Sequence, residues 1–272
     1  MKKLTLLFVF AVLIISQMIP SNVQAAQYQY GVFIGLDPSQ INKLTSYNEV
    51  VIDASYYTKS QIAFLHSKGI KVYSYLNIGS IESFRSYYNN FMNITLGDYQ
   101  NWNDEKWIDV SNSKWQDYVV TTLAKNLKAK GVDGFFLDNI DVYTEYHTDS
   151  IFNGILNIIN RLNSTYRLPI IANGGYDFFK AAMGKNLTLN KLVYGVNTES
   201  VYTTVNFDNN TFGVNSLTDR QYAIDYLNSL KAKGINIYII EYTQDANLKQ
   251  TIVDFYNKLN YKCYVSSSLS LN

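Results

Sequence analysis

Only two histidines, His66 and His147, and one cysteine, Cys263, occur in the 272 residues, and neither histidine has a second histidine or a cysteine at ligand spacing. A zinc hydrolase with the usual donor sets is excluded, and no metal site is expected. The chain has no G-x-S-x-G elbow and no glycine-rich phosphate loop, so esterase, peptidase and nucleotide chemistry lose their usual signatures and no cofactor is expected. A lone cysteine cannot close an internal disulfide, so stability must come from the core, and Cys263 reads as a small buried apolar group. Charge of one sign is also missing: 23 basic residues face 22 acidic ones, which leaves no footprint for nucleic acid or an anionic membrane. A monomer is the expected state.

Long apolar runs are confined to the N-terminus. Met1-Lys2-Lys3 precedes an apolar stretch from Leu4 to about Ile19, and Val23-Gln24-Ala25 forms a small-x-small cleavage pattern. Residues 1–25 are therefore expected to be a secretory signal peptide and the protein to be extracellular; the alternative is a membrane tether formed by the uncleaved segment. Residues 26–272 remain as one domain of a length typical of a (β/α)8 barrel.

Along that domain, short β-rich runs alternate with amphipathic segments. Candidate strands fall at Gly31–Gly35, Glu49–Ser55, Lys71–Asn77, Trp107–Val110, Val132–Asp138, Leu168–Asn173, Leu192–Glu199, Ile235–Tyr242 and Lys262–Val265. Helices are expected over Pro38–Tyr47, Thr58–Lys68, Ser113–Lys130, Ser150–Leu162, Asp177–Met183, Asp219–Lys233 and Leu248–Leu259. Thr218 and Gln221 form a capping box for the helix from Asp219. Residues 86–106, rich in Tyr, Asn and Trp, carry no clear periodicity. Repeated strand-helix alternation favours a single closed α/β barrel, so one of the nine strands must be a cap or an extra pairing.

The centre of the pattern is Gly131–Asp141, GVDGFFLDNID. Lys128, Lys130 and Gly131 end a helix, Phe135-Phe136-Leu137 reads as a strand buried on both faces, and Asp138 arrives where the apolar run stops. Chemistry in α/β folds sits at that end of a strand. Leu127–Asp138 aligns without gaps on Leu230–Glu241, which places Asp138 and Glu241 at equivalent positions. Predicted strand ends collect Asp53, Asn77, Asp109, Asp138, Asn139, Asp141, Asn173, Asn197, Glu199 and Glu241. A rim of carboxylates and amides without metal ligands is what glycoside hydrolysis requires, one acid protonating the leaving oxygen and another supporting the oxocarbenium-like centre. Tyrosines beside strand ends, Tyr56, Tyr75, Tyr176, Tyr202 and Tyr242, offer flat faces for sugar rings.

Val51–Tyr56 (VIDASY), Tyr75–Arg85 (YLNIGSIESFR), Trp107–Val110 (WIDV), Gly131–Asp141, Ile171–Gly174 (IANG) and Asn197–Glu199 resemble, in order, the motifs of glycoside hydrolase family 114, the secreted endo-α-1,4-polygalactosaminidases. The resemblance implies a (β/α)8 barrel hydrolysing α-1,4-linked galactosamine or N-acetylgalactosamine polymers with two carboxylates. It gives Asp138 the nucleophile's role and Glu199 that of acid/base, with Asp53, Tyr75, Glu82, Arg85, Asn139, Asp141, Asn173 and Glu241 as substrate-binding residues and Glu241 as the reserve acid. The chain departs from the family pattern at Ala54, where proline is common, after Arg85, where an acidic residue is usual, and in the unconventional NTESVY around Glu199. A retaining mechanism needs the two carboxyl groups about 5–5.5 Å apart, inversion about 6.5–9.5 Å. The competing expectation is a polysaccharide-binding barrel without turnover, which retention of both acids disfavours. With Arg85 the only cation near Asp53, Asp138, Asp141, Glu199 and Glu241, the cleft is expected to be negative and to prefer a cationic, deacetylated polymer.

Overall fold

The computed structural model describes residues 28–272, and the expected signal peptide at 1–25 lies outside them. Thirteen strands are present among the described residues. They are β1 (Tyr28–Phe33), β2 (Tyr47–Ile52), β3 (Lys71–Asn77), β4 (Ser80–Glu82), β5 (Thr95–Asp98), β6 (Glu105–Ile108), β7 (Gly134–Asp138), β8 (Ile170–Asn173), β9 (Gly195–Glu199), β10 (Thr203–Asn206), β11 (Thr211–Val214), β12 (Asn236–Tyr242) and β13 (Lys262–Ser266). Eight of them form one parallel sheet in the order β1-β2-β3-β7-β8-β9-β12-β13, curled nearly into a barrel with helices between the strands. The fold is thus the expected α/β barrel. At the seam the Phe33 and Tyr264 rings lie 5.1 Å apart, and Gly35 N–H donates to the Leu271 carbonyl at 3.1 Å.

The central strands are buried on both faces, as parallel strands under helices must be: Phe135, Phe136 and Leu137 have essentially no exposure. Ser113–Lys130 is helical throughout, with a π-helical turn over Val119–Ala124, and Gly131 ends it in the left-handed conformation, φ 101°. No side chain but glycine's adopts that geometry cheaply, and it turns the chain straight into β7. Pro38–Ser46 is a kinked 3-10 segment rather than an α-helix. The helix expected from Asp219 starts earlier, at Leu217, and its cap is Ser216, whose hydroxyl accepts from Asp219 N–H at 3.1 Å. Ser216 thus takes the place expected of Thr218.

Two excursions leave the C-terminal end of the barrel. The expected strand at Trp107 is not a barrel stave: it is β6, the middle strand of a three-stranded antiparallel sheet ordered β4-β6-β5. The short helical turns Tyr88–Phe91 and Met92–Ile94, with strands β5 and β6 of this sheet, order most of the stretch that lacks periodicity. The second excursion is the β10–β11 hairpin after β9.

Candidate active site

Strand register brings the predicted acids together. Asn77 on β3 is the partner of Asp138 on β7, and Asn173 on β8 is the partner of Asn197 on β9. Partners in a parallel ladder share a face, and Glu199 lies two residues beyond Asn197, so Asp138, Asn173 and Glu199 all point into the barrel mouth. There Asn173 Nδ2–H donates to Asp138 Oδ1 at 2.8 Å and to Glu199 Oε1 at 2.9 Å. One amide nitrogen therefore bridges both carboxylates. Its orientation is fixed from behind, because Asn173 Oδ1 accepts from Asn197 Nδ2–H at 2.6 Å and Asn197 Oδ1 accepts from the Tyr30 hydroxyl at 3.3 Å. The Tyr242 hydroxyl donates to the other oxygen of Glu199.

The environments of the two acids differ. Asp138 is half-buried, and burial raises its carboxyl from 3.8 to about 7, opposed by the Asn173 bond and reinforced by the charges of Glu105 and Glu199. Glu199 is exposed at the rim. Asp141 lies just past β7, where burial raises it to about 6 against the bond it accepts from Gly175 N–H at 3.0 Å.

A sequence model described as glycoside-hydrolase family GH114 matches residues 16–271. The chain belongs to glycoside hydrolase family 114. The glycoside hydrolase domain of PelA from Pseudomonas aeruginosa superimposes on this family 114 chain with a TM-score of 0.76 at 17% identity, covering 89% of this chain and 95% of that one. Ega3 from Aspergillus fumigatus, solved in complex with galactosamine, gives a TM-score of 0.67 at 20% identity over 91% and 94% of the two chains. A maltogenic α-amylase of Thermotoga neapolitana, AmyB, gives 0.56 at 13% identity over 89% and 68%. These likenesses carry the barrel fold. Among curated proteins nothing matches this chain.

The remaining expected residues of this glycoside hydrolase divide into three groups. Arg85, Asp53 and Glu82 satisfy one another: Arg85 meets Asp53 Oδ2 at 2.8 Å and donates to Glu82 at 3.1 and 3.0 Å, with all three side chains largely buried. Tyr75 donates to Glu82 at 3.2 Å and so belongs to the same network. Asn139 is buried and in the left-handed backbone region, φ 63°, with its amide turned towards β6. Gly79 makes that fit possible, since a Cβ there would stand 1.7 Å from the Asn139 carbonyl oxygen.

Glu241 departs from the expectation. It has no exposure, and it accepts from Tyr202 N–H at 2.7 Å, Thr203 N–H at 2.8 Å, the Thr203 hydroxyl and the Tyr256 hydroxyl at 2.6 Å. Glu199 is the register partner of Ile240, so Glu241 faces the helices while Tyr242 faces the mouth. The internal alignment equates Asp138 with a residue on the opposite face, because a one-residue offset flips every side chain of a strand. Both oxygens of Glu241 thus anchor the segment that opens the β10–β11 hairpin, and the side chain does not line the mouth as expected of a substrate-binding residue or reserve acid.

Residues that sequence reading passed over also enter the site. Glu105 on β6 is half-buried and accepts from Asn77 Nδ2–H and Asn139 Nδ2–H, both at 2.8 Å. Tyr99, stacked on Trp107 at 4.1 Å, donates to Asn139 at 3.1 Å. Recognising β4-β6-β5 as a sheet would have exposed them, but its strands of three or four residues are too short to show a period. At the rim, Trp102 from the β5–β6 turn meets Phe207 from the hairpin, ring centres 6.5 Å apart, and each is about two-fifths exposed.

Proposed function

We propose that this chain is a secreted endo-glycosidase that hydrolyses α-1,4-linked galactosamine or N-acetylgalactosamine polymers with retention of configuration. The observation that carries the reading is the single Asn173 amide held between Asp138 and Glu199. Its two bonds, 2.8 and 2.9 Å long, share one nitrogen, so the nearest carboxylate oxygens are closer than the sum of those lengths. A contact of that kind is compatible with the roughly 5–5.5 Å between the carboxyl groups of a retaining pair. The galactosamine in Ega3, a structural relative, supports the choice of sugar. The basic start, apolar run and small-x-small pattern of residues 1–25 support export; among the described residues no helix is long and apolar enough to cross a membrane.

The half-buried Asp138 attacks the anomeric carbon, and the C1–O bond breaks as Glu199, at the exposed rim, gives its proton to the departing oxygen. Asp138 is then covalently linked to the sugar. Glu199, now a base, takes a proton from water, whose oxygen displaces Asp138 from C1 and restores both carboxyl groups. Asn173 holds both acids, and Tyr242 orients Glu199. Reducing ends released from an α-1,4-galactosamine polymer test the assignment, with 1H NMR of the first product: α-anomer is expected. Absence of cleavage rejects the reading, and β-anomer rejects retention.

A further inference from the structure

Most acids around the mouth are already committed within the protein. Asp53 and Glu82 hold Arg85, Glu241 is saturated, Asp138 and Glu199 share Asn173, and Asp141 accepts from Gly175. Glu105 is divided. Its Oε1 accepts from Asn77 at the end of β3, from Asn139 immediately after Asp138, and from the hydroxyl of Ser80 in β4. Three anchors on one oxygen fix the direction of the other. No donor among the described residues reaches Oε2, and that oxygen is not buried.

Position gives this open oxygen a meaning. Asn77 is the register partner of Asp138 and Asn139 is its chain neighbour, so Glu105 stands over the same two strand ends as Asp138. Its charge is felt at Asp138, Tyr75 and Tyr99. In a hexosamine the nitrogen sits on C2, the carbon next to the one that Asp138 attacks. A fixed carboxylate oxygen beside the nucleophile is complementary to an ammonium at that carbon and not to a neutral, bulkier acetamide.

We infer that Glu105 Oε2 receives the C2 ammonium of the sugar bound over Asp138 and makes this residue the determinant of preference for unacetylated units. The inference rests on the reading of the substrate as a galactosamine polymer. It also relocates the preference for a cationic chain: Asp53 and Glu241 contribute nothing to it, and Glu105 supplies the contact.

Calorimetric binding of an α-1,4-galactosamine tetramer and its fully N-acetylated counterpart, at low salt and neutral pH, tests it on protein made inactive by Glu199→Gln, so that the tetramers stay intact, with position 105 wild type or carrying Glu105→Gln or Glu105→Asp. Gln keeps an acceptor for Asn77, Asn139 and Ser80 but turns an amide towards the sugar. The wild type is expected to prefer the free amine by roughly 10- to 100-fold, the worth of a hydrogen bond to a charged group. Gln is expected to abolish the preference and Asp, which keeps the charge but withdraws the oxygen, to retain part of it. Thermal melts of each variant establish that it is folded. Equal wild-type affinities, an undiminished preference in folded Glu105→Gln, or an undiminished preference in Glu105→Asp should Gln not fold, would overturn the inference. Hydrolysis is scored separately: cleavage without discrimination rejects the role of Glu105 alone, whereas binding with discrimination but no cleavage rejects the enzymatic reading alone.

Discussion

In the proposed mechanism Asp138 carries two opposed demands, because it must be ionised to attack while its burial makes that charge costly. A nucleophile must be ionised, so the ionisation of Asp138 is expected to give kcat/KM an acid limb that rises tenfold per unit of pH up to about 7, the value burial imposes on the free site. The limb in kcat should lie lower, since a cationic sugar over Asp138 favours its ionised form. A profile with no rising limb below about 7 would contradict ionisation of Asp138 as a requirement for attack. The same shift has a stability consequence. Asp138 binds its proton more tightly folded than unfolded, so its contribution to stability declines as pH rises from about 4 to about 7 and is constant above. Asp138→Asn has no charge to bury: its Tm advantage over the wild type should grow across that window by an amount of order 1 kcal/mol or more, each worth roughly 2–4 °C. Activity should drop by three orders of magnitude or more. A Tm difference independent of pH would show that Asp138 is not held protonated by the fold.

At the level of elements, what was legible in the sequence depended on length and on which face a residue takes. The eight barrel strands could be read because each is an apolar run bounded by helix ends such as Lys130-Gly131, and Asp138, Asn173 and Glu199 could be read because they close such runs. The short strands β4, β5, β6, β10 and β11 show no period, which hides Glu105 and Tyr99 and makes Trp107 look like part of a barrel strand rather than of the small sheet over it. Glu241 failed differently: its position at a strand end was right, but its face was decided by pairing with β9, which only register reveals. Glu241→Ala should leave the Tyr202 and Thr203 N–H groups and two hydroxyls without an acceptor, costing about 3 kcal/mol or more. Chemical denaturation checks this, and the folded fraction of Glu241→Gln should retain hydrolysis. Loss of turnover in folded Glu241→Gln with substrate binding unchanged would restore Glu241 as a catalytic acid.

The molecule as a whole depends on closing a sheet whose first and last strands meet through side chains. Phe33 is buried there between Tyr47 and Tyr264, with ring centres 5.0 and 5.1 Å away. Phe33→Ala is expected to cost about 3–5 kcal/mol, read as a lower denaturation midpoint with an unchanged slope; a cost under 1 kcal/mol would mean that the seam adds little to closure. Closure matters because it brings the Tyr30 hydroxyl of β1 to Asn197 of β9, the residue that orients Asn173 between the two acids. The most direct test of that arrangement is to trap the sugar on the protein. Glu199→Gln, given an aryl α-galactosaminide whose leaving group needs no protonation, should accumulate a covalent glycosyl-enzyme, and peptide mapping by mass spectrometry should place the adduct on Asp138. An adduct on another residue, or turnover to the β-anomer with no adduct at any time, would contradict the account.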